Sequence, residues 1–271
     1  MLKIIITITL LVTLPLPAFA TNILVINTEF FWDSKPPHEG QIALGAVGNP
    51  PSPKSVQLEA YAIALHIIYN DADIIGLTEI EGKSAVEQIM KYLPDDYLLV
   101  FKKGRDNYTG QDVALITRYQ VVGEPSNFEG IEGNYNGTKK VPSKALGVTL
   151  KDSAETYNVV VAHLISKRSS NDDKRAAQAN AIVKYLENRK GHNIVMGDLN
   201  DVPGSITLDQ LTSFGLNVIN SNEYSYTYQN KKQLIDHILV SDDLLPGAIF
   251  TSFDLGPVSD HRGVKANIKT L

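Results

Sequence analysis

Short runs rich in valine and isoleucine recur along almost the whole chain, and they constrain the fold more than any other feature. They cover 23–26, 74–77, 98–101, 113–117, 145–150, 157–162, 194–196, 235–240, 248–253 and 264–268. Each is too short for a helix and has the β-branched content of a buried strand. Fewer segments carry helical spacing. Residues 54–69 place Val56, Ala60, Ile63 and Ile67 on one face, and residues 84–93 do the same with Val86, Ile89, Met90 and Leu93. Residues 171–190 begin with Asp172 and Asp173, carry Ile182, Val183 and Leu186 on an apolar side, and end in Arg189, Lys190 and Gly191. Acid at the start, base at the end and a glycine stop suit the helix dipole. Many strands with a few interspersed helices predict an α/β sandwich, two packed sheets with helices outside. Segments 33–54 and 124–143, rich in Pro, Gly and Asn, read as long surface loops.

The first twenty residues stand apart. Lys3 precedes an apolar stretch from Ile4 to Leu14, then Pro15 and Pro17, then Ala18-Phe19-Ala20. That is the pattern of a secretory signal cleaved after Ala20. A membrane anchor needs about 20 apolar residues and would not normally hold two prolines. The expected organisation is a signal peptide over 1–20 and one domain over 21–271, secreted or periplasmic and without stable membrane association. Monomer is the default.

The chain of 271 residues contains no cysteine and has a net charge of −5. Thiolate catalysis and cysteine-bound zinc are excluded. Any metal must be held by oxygen and histidine, which favours magnesium, with manganese or calcium as alternatives. The acidic balance argues against a nonspecific polyanion binder, but not against an enzyme that meets phosphate through a bound cation.

Several strand ends finish on groups that bind metal or phosphate. They are Asn27 in "ILVIN", Glu79 in "DIIGLTEIEG", His163 in "VVVAHL", Asp198 and Asn200 in "IVMGDLND", Asp236 in "QLIDHILVS", and Asp260-His261 in "GPVSDHRGV". Any one of them is an ordinary strand-to-turn residue. Together they describe a site at one end of the sheets. Glu79 is favoured over Glu81 as a ligand, with Glu81 a loop contact. His163 reads as a site residue or a core histidine. His237 reads as structural; His38, His66 and His192 read as solvated. Lys167, Arg168, Lys174 and Arg175 follow the His163 strand and read as a solvated face or as phosphate contacts, with Lys167, Arg168 and Arg175 the candidates for phosphate. Phe30, Phe31 and Trp32 read as packing rather than a base-stacking platform.

The series N, E, HL, GDxN, [YIL]D and SDH, in that order, resembles the endonuclease/exonuclease/phosphatase superfamily, the deoxyribonuclease I-like proteins. The segments "NTEFFWD", "GLTEIEG", "GQDVALITR" and "HLISKRSS" are similar to motifs of its exported bacterial nuclease-like branch. The resemblance spans nearly all of 21–271. It departs at Thr78, Gly82 and Leu199, where Gln, Asn and Phe are usual. It implies a four-layer α/β sandwich with its active site at the top of both sheets. It also implies Glu79 as main metal carboxylate, supported by Asn27 and Asp260. Asp198 would orient the attacking water or the leaving oxygen, and Asn200 would hold a nonbridging oxygen. His261, steered by Asp236, would be the catalytic base, and His163 a phosphate ligand or proton donor. The implied function is a secreted, magnesium-dependent phosphodiesterase, a nuclease acting on DNA or RNA. The alternatives are a sphingomyelinase or inositol-phosphate phosphatase of the same fold, and a noncatalytic secreted binding or toxin-like module.

Overall fold

The computed structural model describes residues 20–35, 51–153, 155–167, 171–219 and 222–269. The signal segment up to residue 19, most of the 33–54 loop with His38, and Arg168 lie outside the described residues.

The elements run β1 (Ala20–Phe31), α1 (Pro53–Tyr69), β2 (Ile74–Ile80), α2 (Lys83–Met90), β3 (Leu98–Val100), β4 (Asp112–Thr117) and β5 (Gln120–Ser126). A small hairpin follows, β6 (Gly133–Tyr135) and β7 (Thr138–Lys140), then β8 (Ala145–Lys151), β9 (Thr156–His163) and α3 (Asp172–Leu186). The chain continues with β10 (His192–Asp198), α4 (Ile206–Thr212), β11 (Leu216–Val218), β12 (Tyr226–Tyr228) and β13 (Lys231–Gln233). It closes with β14 (Asp236–Ser241), β15 (Ile249–Asp254) and β16 (Arg262–Lys269). Every expected strand and helix is present. Two six-stranded mixed sheets form, in the orders β15-β16-β1-β2-β4-β3 and β11-β14-β10-β9-β8-β5.

Strand alternation sorts the apolar side chains into three cores and so builds four layers. Ile23, Val25, Val159, Val161, Ile194, Met196, Ile238 and Val264 fill the space between the sheets. Leu24, Ile26, Ile75 and Leu77 face outward beneath Ile63 and Ile67 of α1 and Val86 and Ile89 of α2. Val160, Val195 and Leu239 do the same beneath Ile182 and Leu186 of α3 and Leu208 of α4. Local signals start the helices: Ser52 caps α1 by accepting the Ser55 N–H at 3.1 Å with Pro53 following it, and Ser205 caps α4.

The segment 124–143 is not simply a loop. It holds the end of the edge strand β5 and the β6–β7 hairpin, which packs on α3. A β-carbon on Gly133 would lie 1.9 Å from the Ala177 carbonyl oxygen, so only glycine permits this approach. His192 is also not solvated: Asp243 (2.5 Å) and Glu155 (3.1 Å) hold its two ring nitrogens. His237 is fully buried, with Nε2 2.8 Å from the Asp201 carbonyl oxygen, as a structural histidine should be.

Candidate active site

The parity that builds the central core also aims the polar residues. Asn27 continues the inward series Ile23, Val25 of β1; His163 continues Val159, Val161 of β9; Asp198 continues Ile194, Met196 of β10. On β14, Asp236 precedes Ile238 and Val240 on the same face. All four therefore meet where the two sheets end.

Glu79 arrives differently. Simple alternation would put it beside Ile75 and Leu77 under the helices. Instead the β1–β2 and β2–β4 registers shift here, Glu79 takes a φ of 63°, and Ile80 returns to the helix-facing core. A bulge re-aims one side chain at the cost of backbone strain. Glu29, Phe30 and Asn200 also have positive φ, so strained residues concentrate around this spot.

The groups form a connected cluster. The Asn27 amide donates to Glu79 Oε1 and to Asp198 Oδ2, both at 3.2 Å. His163 Nε2 lies 3.7 Å from Glu79 and 3.6 Å from Asp198. Burial, Lys144 and His261 hold His163 well below the usual imidazole range, so its ring is neutral and these contacts are not ion pairs. Asp198 is pushed up to about 8, first by burial and then by Asp236 and Glu79, against the pull of His261 and the Asn200 N–H. His261 Nδ1 lies 2.7 Å from Asp236 Oδ2. Burial works to lower the His261 pKa, but Asp236, Asp198 and Asp260 outweigh it and push the ring up to about 10. The Ser225 hydroxyl accepts the N–H groups of Ile235 and Asp236, and the Tyr226 ring stacks on His261 at 4.6 Å.

Glu79 and His261 line one cleft of about 260 Å³ with His163, Asp198, Asn200 and Asp260. Asn200 donates one amide hydrogen to the Leu164 carbonyl at 3.0 Å and retains a second donor. Asp260 sits on the rim, half-exposed, 3.9 Å from His261 Nε2, with its N–H donated to Glu29. Glu81 accepts the Asp33 N–H and is a loop contact, as expected.

Two candidate groupings for a cation occur among the described residues, Glu79/His163/Asp198 and Asp198/Asp236/His261; Asp260 belongs to neither. The first fits a divalent ion through its hard carboxylate oxygens, one of them on a buried carboxylate whose raised pKa marks uncompensated negative charge, with the neutral His163 ring beside them adding no opposing charge. The Asn27 amide oxygen accepts the Glu29 N–H at 3.0 Å, so its nitrogen, not its oxygen, faces the carboxylates. Asn27 therefore orients the ligand carboxylates in this state.

The expected phosphate contacts need correction. Arg175 is fully buried: its Nε and Nη2 donate to Asp201 at 3.1 and 2.9 Å, and Nη2 also to Asp172 at 2.6 Å. A guanidinium so engaged beneath the "DLND" loop cannot reach a substrate. Lys167 is half-exposed, and its ammonium is bonded to the same Asp201 at 2.9 Å. Both cations hold the loop carrying Asp198 and Asn200. Arg175→Ala should destabilise the protein by about 3 kcal/mol, because the buried Asp201 loses its buried cationic partner and keeps only Lys167 and Thr207; urea denaturation measures this. Sequence reading missed Ser225, Tyr226, Glu29 and Gln111, whose amide reaches Glu79 at 3.4 Å.

Residues 45–261 match the Endonuclease/Exonuclease/phosphatase family. The chain belongs to that family. Members of the endonuclease/exonuclease/phosphatase family are generally phosphoric ester hydrolases and typically depend on divalent metal. Solved structures share the fold. A family member from Bacteroides vulgatus is 15% identical with a TM-score of 0.66, covering 93% of this chain and 100% of its own. The human Nocturnin catalytic domain with bound sulfate is 18% identical with a TM-score of 0.63, covering 93% and 95%. Beta toxin from Staphylococcus aureus is 14% identical with a TM-score of 0.58, covering 91% and 99%. No curated protein matches the sequence.

Proposed function

We propose that this family member is an exported, magnesium-dependent phosphodiesterase that cleaves nucleic acid. The observation that carries the reading is the shared Asp198: it joins a metal-type grouping with Glu79 and His163 to an imidazole–carboxylate pair, His261–Asp236. Phosphodiester hydrolysis needs both halves. Glu79 and Asp198 would hold a divalent cation, whose charge would neutralise the phosphate and the leaving oxygen. Asp236 fixes the His261 tautomer with hydrogen on Nδ1, so that Nε2 exchanges the proton with the reacting oxygen in the cleft. Asn200 and neutral His163 offer hydrogen bonds to phosphate oxygens without adding negative charge.

Export follows from the signal-like residues up to Ala20. The described fold begins with β1 at Ala20, so cleavage there leaves the strand whole from Thr21. We take the protein to act as a monomer in the secreted or periplasmic space. Among the described residues, no helix is long and apolar enough to cross a membrane.

Plasmid DNA, RNA, sphingomyelin vesicles and an inositol phosphate, each offered with and without magnesium, test the reading. Nucleic acid should be degraded at least 10²-fold faster than the other substrates, and EDTA should stop it. Undiminished turnover in EDTA rules out the metal; preference for the lipid or the inositol phosphate replaces the substrate. Binding without turnover at saturating metal would identify a noncatalytic module.

A further inference from the structure

The catalytic cleft opens into a second, larger recess of about 550 Å³, and Phe30, Glu79, His163 and Ser166 line both. Its charge runs against that of the molecule. The chain is net −5, yet the recess gathers Arg105, Lys140, Lys144 and Lys174 from three separate segments. Lys144 is balanced by Asp106 at 3.5 Å, and Lys174 bonds Asn171. The side chains of Arg105 and Lys140 have no hydrogen bond or ion pair among the described residues. Tyr108, also in the lining, is 60% exposed.

The loop that presents these groups is fastened, not loose. The Gly104 N–H donates to Asp112 at 2.7 Å, and the Arg105 N–H to the Ser143 carbonyl at 2.7 Å. The N–H groups of Tyr108 and Thr109 donate to Asp106. Phe30 enters from the other side, with its ring stacked on Trp32 at 6.2 Å. Phe30 is thus a cleft residue, while Phe31 and Trp32 pack in the interior as expected.

We propose that this recess is the subsite for the nucleotide next to the scissile phosphate, accepted as an unpaired, single-stranded unit. The proposal rests on the nuclease reading and deepens it. Free cations beside a reaction centre attract a flanking phosphate. An exposed ring offers a stacking surface to any base whose face is not covered by its neighbours in a duplex. The recess falls in the range of about 300–1,000 Å³ that holds one small molecule. It has room for one nucleotide, and stacking on Tyr108 needs a base face that a duplex keeps covered.

The test uses the magnesium-loaded protein, its Tyr108→Ala variant and its Arg105→Ala/Lys140→Ala variant. These side chains are exposed, and circular dichroism checks that each variant is folded. Substrates are a labelled single-stranded oligonucleotide, the same sequence as a blunt duplex, and bis(4-nitrophenyl) phosphate, which has no flanking nucleotide. The native protein should show at least about tenfold higher kcat/KM on the single strand than on the duplex. Each variant should lose about tenfold on the single strand, several times more than it loses on the small diester. Equal rates on both strand forms in the native protein, or equal losses on all substrates in the variants, overturn the subsite. Hydrolysis of the small diester with neither strand form cut sinks the nuclease reading itself.

Discussion

Replacing Asp198 by asparagine should raise the melting temperature of the metal-free protein by roughly 5 °C, on a scale of about 2–4 °C per kcal/mol, while lowering kcat about 10³-fold. The two effects have one cause. Asp198 is buried at the end of β10, on the face turned to the other sheet, and burial, Asp236 and Glu79 together push its carboxyl up to about 8. An ordinary carboxyl loses its proton near 3.8. The folded state therefore holds this proton far more tightly than the unfolded chain does. Asp198's favourable contribution is complete below about pH 4 and is lost as pH rises through 8. Asparagine keeps the oxygen that accepts the Asn200 N–H at 2.8 Å and carries no charge to be repelled, which outweighs the Asn27 amide bond lost when an NH₂ replaces the oxygen that accepts it at 3.2 Å. The difference in melting temperature between variant and native protein, measured in EDTA, should be small at pH 4.5 and full by pH 8. Raised groups that do not feel Asp198, such as Glu59 at about 7, cancel in that difference. Magnesium should stabilise the native protein and leave the variant almost unmoved, since a ligand that binds only the folded state raises its stability. Melting curves that differ by a constant offset at every pH would remove Asp198 from the electrostatic centre of the site.

That centre was partly legible in the sequence, for a definable reason. A strand has a period of two, so residues that continue an inward-facing apolar series are bound to emerge between the sheets. Asn27, His163, Asp198 and Asp236 obey this rule, and reading the Val and Ile runs to their polar ends finds all four. Glu79 breaks it. Its motif is recognisable, but its direction depends on a bulge with positive φ that no local pattern of apolar residues announces.

Arg175 shows the opposite difficulty. In the sequence it is a cation in the first turn of a helix after a site strand, which suits phosphate. Only the packing of α3 against the loop after Asp198 reveals Asp201 beneath it. Tyr226 and Ser225 sit in a stretch of alternating polar and aromatic residues with no apolar periodicity to set a face. The sequence marks Lys174 among possible phosphate contacts, but the basic recess as a whole is a property of tertiary structure, because Arg105, Lys140, Lys144 and Lys174 come from segments without a shared pattern. The elements that went unpredicted were also the weakest in signal. Helix α4 spans seven residues, and β5 is an exposed edge strand interrupted by Gly123 and Pro125.

Asp236→Asn should cost about 10²–10⁴-fold in kcat with the protein still folded, the range for loss of a positioned acid–base group. Asp236 is wholly buried, and its Oδ2 lies 2.7 Å from His261 Nδ1. An ionised carboxylate only accepts, so it forces the hydrogen onto Nδ1 and leaves Nε2 for the cleft. An amide can turn its NH₂ toward the ring and so favour the other tautomer. The charge also matters. Among the groups that hold the imidazole at about 10 against burial, Asp236 comes first. Without it, the limb of the pH–rate profile that belongs to His261 should move to lower pH by more than about one unit, since one unit is only 1.4 kcal/mol of differential interaction. A merely structural aspartate would lower the rate without displacing that limb. The double variant Asp236→Asn/His261→Ala supplies the final comparison. If the carboxylate acts only through the ring, the double variant is no slower than His261→Ala alone, as residues that work as one unit are grossly non-additive. If the two losses multiply instead, Asp236 acts on the substrate or the cation directly, and the division of this cluster into a metal-holding half and a proton-handling half is wrong.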